Sequence, residues 1–311
     1  MRHPHAIARG ERGWPRYVFL GLSLLLGLGL AGMGCGRGPR VVVYCAQDQV
    51  HAEPLFAQFT RQTGIRVDAV FDSEAVKTVG LVNRILAERE HPQADLFWGN
   101  EEFQTRRLAA AGCLRGTNGW VAFGQRSRRL VASGRRPEWA QVGLAGLTNV
   151  ALRGRVSIAA PWFGSTATHF TALRAEWGED AWRAWCRALA ANRVFLEEGN
   201  SRVVERVARG EAWVGLTDSD DIHAAQAAGQ GVVAGPPLWQ LRNTVAFLRG
   251  STRPTAADRL AAFLQSAEAV QVLQQAGALE APTRWEQEPA WDVLMRDYPS
   301  MAQELRGIFT P

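Results

Sequence analysis

Apolar and polar positions along the chain alternate between two kinds of run. Arg40-Val41-Val42-Val43-Tyr44 is almost wholly apolar, as strands covered on both faces are. A helix is predicted over roughly residues 51–62, with Leu55, Phe56 and Phe59 on one face, Pro54 in its first turn and Gly64 as its stop. Ile65 to Phe71 predicts a second strand. After Asp72-Ser73-Glu74, the residues Val76, Val79, Val82, Ile85 and Leu86 recur at helical spacing. Ala94 to Trp98 predicts a third strand, which breaks at Gly99-Asn100-Glu101 into a helix ending near Gly112. Strand and helix alternating over short loops predict an α/β sheet with right-handed crossovers.

From Gly116 to Leu152 the pattern loosens into expected strands and loops around the arginine-rich run Arg126-Ser127-Arg128-Arg129. A second alternating unit then begins. Strands are predicted at 156–159, 194–196 and 212–216, with helices reaching Trp177 from a turn at Pro161 to Thr166, over 180–191, over 200–208 and over 221–228. A short strand at 232–234 meets the break Gly235-Pro236-Pro237. Asn243 to Leu248 is a strand expected to return to the first unit. Helices follow from Pro254, with Ala257, Leu260, Ala261 and Leu264 on one face, and through Val270 and Leu273 to Gly277. The expected organisation is two α/β lobes, residues 35–125 with 243–311 and residues 126–242, joined by crossings near 126 and 242.

Composition narrows the class. At 47% apolar and 21% charged, 311 residues can bury a substantial core. The sequence pI of 9.5 invites a nucleic-acid reading, but Lys77 is the only lysine and no basic cluster is interleaved with aromatics, which argues against nucleic acid. Arg2, Arg9, Arg12 and Arg16 precede an apolar run from Tyr17 to Leu30, then Ala31-Gly32-Met33-Gly34 and Cys35. That is the layout of a secretory signal. A cysteine directly after small residues resembles a bacterial lipobox, with Cys35 lipidated and residues 1–34 removed, although Gly32 stands where an aliphatic residue is usual. Removal takes away four arginines and one glutamate, lowering the formal charge from +5 to +2. Cys45, Cys113 and Cys186 fit no zinc spacing and read as buried structural thiols with at most one disulfide.

The strongest chemical signal is Val214 to Asp221. An apolar run there ends in Asp218, Asp220 and Asp221, three carboxylates within four residues, just before a helix. Capping of that helix is the ordinary explanation; a ligand site beyond the carboxyl end of a strand is the functional one. Phe163-Gly164-Ser165-Thr166 and Asn200-Ser201 place hydroxyls and backbone N–H groups at two further helix starts, which serve equally as caps or as an anion site. No G-x-S-x-G, H-E-x-x-H, P-loop or G-x-G-x-x-G occurs, and Ser165 with His169 on one helix has no orienting third group, so an enzyme is not expected.

Taken in order, Val43 to Asp48, Phe59 to Val67, Ala94 to Trp98, Arg126-Ser127-Arg128, Asn200-Ser201 with Val207 to Glu211, and Asn243 to Ala246 resemble the type II periplasmic solute-binding proteins of ABC transporters, in their ferric-iron-binding branch. The resemblance implies two α/β lobes hinged over a ligand cleft, export to the periplasm or cell surface, a monomer, and a permease as partner. It also implies a paired tyrosine site for ferric iron, which falls here on Asp220-Asp221, with the supporting positions on Asp48 and on Asn100 or Glu101. Outside the signal segment only Tyr44 and Tyr298 remain, so tyrosinate ligation is replaced by carboxylates. Asp48, Glu101, Asp218, Asp220 and Asp221 are then the expected ligands of a hard cation, iron or another, since crowded carboxylates call for one. His51, His169 and His223 lie near the same loops without being assigned. Asn100, Lys77, Arg126, Ser165, Thr166, Asn200 and Ser201 are the expected partners of a co-bound anion. The rival cargoes are a phosphate- or phosphonate-bearing solute, and a polyamine walled by Trp98 and Trp162.

Overall fold

The apolar runs become parallel strands because helices cover both faces of each. The computed structural model describes residues 38–72, 77–282 and 288–310. Strand β1 (Arg40–Cys45) pairs in parallel with β2 (Arg66–Val70) on one side and β3 (Leu96–Gly99) on the other. Helix α1 (Gln49–Thr63) links β1 to β2, α2 (Lys77–Ala87) precedes β3 and α3 (Glu102–Ala110) follows it. The α1 residues Ala52, Leu55, Phe56 and Phe59 are buried, and Gly64 ends the helix at φ 71°, donating its N–H to Thr60 O. A left-handed residue there reverses the chain without a Cβ clash.

The second half repeats the scheme. Strand β5 (Val156–Ala159) lies in parallel between β6 (Phe195–Glu197) and β7 (Val214–Asp218). Helices α4 (Gly164–Trp177), α5 (Glu179–Ala191), α6 (Asn200–Ala208) and α7 (Ser219–Ala227) connect them. Two long antiparallel strands, β4 (Trp120–Ser133) and β8 (Val232–Phe247), run through both halves and fuse them into one sheet, ordered β2-β1-β3-β8-β4-β7-β5-β6.

Three features differ from the sequence reading. Strand β4 is continuous where loops were expected, because its arginines lie in partnered, buried positions rather than in solvent. Strand β8 runs through Gly235-Pro236-Pro237: the β4–β8 register shifts beside Arg129↔Pro237, and a bulge accommodates a residue that cannot donate to the ladder. Helix α8 (Pro254–Leu264) and helix α9 (Ala267–Gln275) follow as expected, but a further helix, α10 (Trp291–Phe309), was masked by Pro289 and Pro299. Met301 and Leu305 bury themselves with Phe170, Trp182 and Leu189 of the second half, while Leu294 joins Phe103 of the first half and Ala172 of the second.

Each half carries apolar clusters on both faces of its sheet. Leu55, Phe59, Trp98 and Leu260 lie on one face of the first half, Tyr44, Leu81, Phe97 and Leu108 on the other. Trp182, Phe170 and Leu216 form the main core of the second, with Val203, Val207 and Ile222 opposite. Each such side chain contributes roughly 1.5–3 kcal/mol of transfer free energy. Cys45, Cys113 and Cys186 are buried, as their apolar contexts imply.

Candidate functional site

The carboxyl ends of β1, β3, β5 and β7 open on one cavity of about 90 Å³. From the first half come Asp48, just before α1, with Thr78 and Asn100; from the second come Gly164, Ser165 and Thr166 at the start of α4, Glu198 to Asn200 at the start of α6, and Asp218, Asp220 and Asp221 around the start of α7. Arg126 enters from β4. Parallel strands with short loops place these helix N-termini together, which is why the ligand crevice of an open α/β sheet lies here.

The acids are organised by two arginines. Strand β7 extends two residues beyond its predicted end, so Asp218 is its last residue, buried and in register opposite Arg128. Arg128 Nη1 donates to Asp218 Oδ1 at 2.6 Å, and Arg126 Nη1 lies 3.0 Å from Oδ2. Ser165 Oγ and Asn200 Nδ2 donate to the same Oδ2 at 2.9 and 3.0 Å. Arg126 Nη1 also holds both oxygens of Asp220, at 2.9 and 2.7 Å, while its Nη2 donates to Asn100 O at 3.1 Å. Alternation along β4 explains the pair: residues 126 and 128 point to the same face.

Burial presses all these charges toward neutrality, and the partners decide the outcome. For Asp218 burial pushes up, but Arg126 and Arg128 outweigh it and hold the carboxyl below its ordinary range. For Asp220 burial prevails over Arg126, and the Asp218 charge adds to it, so its pKa is raised. Burial also works against the Arg126 charge, yet Asp220, Asp218 and Asp221 hold that guanidinium firmly ionised. Such an assembly needs every partner, since a buried charge left alone costs several kcal/mol.

Asp218, Asp220 and Asp221 each present an oxygen within 4.8 Å of the others, close enough to share a cation. Asp218, however, already receives hydrogen bonds from Arg128, Ser165 and Asn200 and pairs with Arg126, which makes it the organiser of the cluster rather than its open ligand. Of the expected ligands, Asp48, Asp218, Asp220 and Asp221 border the cavity together, as do Asn100, Arg126, Ser165, Thr166 and Asn200. Glu101 does not: it is buried beside the cavity and accepts from Thr168 Oγ1 at 2.6 Å. Trp98 does not either, being fully buried with its ring edge-on to Phe56 and Phe123, so it walls no polyamine. Ser201 lies one step into α6, off the lining. Lys77 opens α2 with its side chain outside the described residues, as are Cys35 and the signal segment.

The histidines stand back from the cavity. His169 is buried in α4 against Trp239, ring centroids 5.9 Å apart, and burial pushes it down to about 3. His51 is lowered chiefly by burial, with Asp220 opposing and His223 assisting. Neither remaining tyrosine reaches the site. Tyr44 donates to Glu88 at 2.8 Å and Tyr298 lies against Phe103, and burial raises both to about 12. Sequence reasoning missed three elements of the site: Thr78, Glu198 and Arg128. Arg128 was legible as the second member of an Arg-x-Arg alternation; Thr78 and Glu198 carried no signal.

Comparison with known proteins agrees with this architecture. Residues 41–279 match the model of the bacterial extracellular solute-binding protein family. No curated protein sequence matches the chain. Among solved structures, iron-bound HitA from Pseudomonas aeruginosa is similar at TM-score 0.75 and 18% identity, over 86% of this chain and 99% of that one. The apo ferric ion-binding protein A of Pasteurella haemolytica is similar at 0.73 and 16%, over 87% and 98%. The periplasmic binding protein AfuA of Actinobacillus pleuropneumoniae, solved with fructose-6-phosphate, is similar at 0.74 and 17%, over 87% and 98%. At these identities the likeness shows the fold, a two-lobed type II periplasmic binding protein. Together with the family match over most of its length, this makes the chain a member of the bacterial extracellular solute-binding proteins.

Proposed function

We propose that this substrate-binding protein of an ABC importer captures a hard metal cation, iron or a similar oxygen-seeking ion, accompanied by a small oxyanion. The observation that carries the reading is the charge of the cavity wall. Among the described side chains, Asp48, Glu198, Asp218, Asp220 and Asp221 border it with Arg126 as their single bordering cation, and Arg128 behind offsets one more. A surplus of carboxylates draws a cation, and oxygen donors select a hard one. The starts of α4 and α6 bring backbone N–H groups to the same space, and the buried Thr166 hydroxyl has no partner among the described residues. Those donors suit an accompanying anion. The two lobes close on the cargo because it binds the closed form better, and a permease receives it. Export with a lipid anchor at Cys35 completes the reading.

Elemental analysis of protein purified without chelator, followed by thermal melting with ferric citrate, manganese and calcium, tests it. A melting rise with one of these metals, lost in Asp220→Ala/Asp221→Ala, is the expected result. One observation favours a second reading: Asp218 and Asp220 are already neutralised by arginine. A phosphate-bearing solute would then displace Asp220 from Arg126. Melting that rises with sugar phosphates and with no metal selects that reading and refutes the first.

A further inference from the structure

Glu101 stands at the N-cap of α3 yet does not cap it. Its carboxylate turns away from its own helix and takes the Thr168 hydroxyl of α4, Oγ1 to Oε2 2.6 Å. Both residues are buried, and they come from opposite halves of the sheet. The preceding residue makes a parallel contact through its backbone: Asn100 O accepts from Arg126 Nη2, and the same guanidinium holds Asp220 of the second half. One turn of the first half is thus clasped twice. Glu101 Oε1 is buried without a partner among the described residues, so an ionised Glu101 leaves part of its charge uncompensated in the interior.

We propose that the β3–α3 turn is the latch of the closed cleft, with Glu101 and Thr168 as positioning residues whose contact holds the lobes together and makes closure depend on a proton. The latch belongs to the two-lobed fold and does not depend on which cargo is carried.

Groups from several elements face Glu101. Burial is the dominant influence and raises its pKa; Thr168 of α4, Arg126 of β4 and Arg107 of α3 oppose, and Asp218 of β7 assists. Tyr298 of α10 feels the Glu101 charge, and His169, next to Thr168, is neutral. The net result lifts Glu101 from 4.5 to about 7. Parting Glu101 from Thr168 would expose this turn to solvent and return its carboxyl to the ordinary range. The closed form therefore holds an extra proton between the ordinary value and about 7. Closure is favoured at the acid end of that window and weakened as pH rises through it. Between about pH 5.5 and about pH 8 the closed-to-open ratio falls about 25-fold.

Distances between spin labels at Glu90→Cys in the first half and Asp180→Cys in the second, read on the full chain without added cargo, test the latch. Cys35 is replaced by serine for the labelling, and the other native cysteines, 45, 113 and 186, are buried. The expected result is a shift from short to long distances between about pH 5.5 and about pH 8. Glu101→Gln, which keeps an acceptor for Thr168, should stay closed at both values, and Thr168→Val should be more open at both. A distribution that ignores pH in the unmutated background, one that still follows pH in Glu101→Gln, or one unchanged by Thr168→Val overturns the proposal. Because no cargo is present, this outcome and the outcome of the metal-binding test are independent.

Discussion

Replacing Asp218 by asparagine probes the assembly on which the cleft is built. The substitution keeps the shape and one acceptor oxygen but removes the charge shared by Arg126 and Arg128. Arg126 retains both oxygens of Asp220 at 2.9 and 2.7 Å, so the loss falls on Arg128. That guanidinium is fully buried, and its other acceptors are Asn200 Oδ1 at 2.9 Å, Ser165 Oγ at 3.4 Å and Leu216 O at 3.5 Å. None carries charge. Breaking a buried pair from one side costs about 3–5 kcal/mol, and for a chain of this size that lowers the melting temperature by roughly 10 °C. The pH dependence has a definite sign. Asp218 is held below its ordinary range in the fold, so its contribution is complete above the unfolded value and lost as pH falls through the folded one. The gap between wild type and Asp218→Asn in urea unfolding should therefore be full at neutral pH and close in acid, below about pH 4. Adding Arg128→Met should recover much of the loss, because it removes the guanidinium that the first substitution leaves buried without a charged partner. A single-variant loss under about 1 kcal/mol, or a double variant no better than the sum of both singles, would refute the reasoning.

Other expectations bear on the cargo and on the core. Asp220→Ala/Asp221→Ala should abolish the cargo-dependent melting shift while leaving circular dichroism of the cargo-free protein unchanged; retained cargo affinity would return the cluster to a capping role. Thr166→Val should weaken cargo binding about 5- to 10-fold, the worth of one hydrogen bond, in isothermal titration. His169 is held neutral by burial, down to about 3, so it destabilises the fold as pH falls below its unfolded value near 6.5. In His169→Leu, urea midpoints measured from about pH 7 to about pH 4 should decline less steeply than in wild type. Leu305→Ala should cost about 2–5 kcal/mol in the same assay, because Leu305 is fully buried against α4 and α5.

Much of this molecule was legible because parallel strands buried on both faces leave runs such as Val41-Val42-Val43, which composition alone exposes. The cleft was legible for the same reason, since helix starts such as Gly164-Ser165-Thr166 announce the carboxyl ends of those strands. What escaped depends on partners distant in sequence. Arginines 126, 128 and 129 look like a solvated loop until β7 and β8 are seen to pair with them. Glu101 resembled a ligand because it follows a strand end, yet only the position of Thr168, 67 residues away, shows where its carboxylate turns. Trp98 resembled a cleft wall, but alternation along β3 turns it into the core with Phe56 and Phe123.

Helix α10 touches both arms of the clamp. Its Tyr298 lies 4.8 Å, ring to ring, from Phe103 of α3, while Met301 and Leu305 are locked into the second core. A body seated in one arm and only touching the other works as a bolt: drawing Leu294 and Tyr298 away from Phe103 would free the first half from α10 while leaving the second core intact.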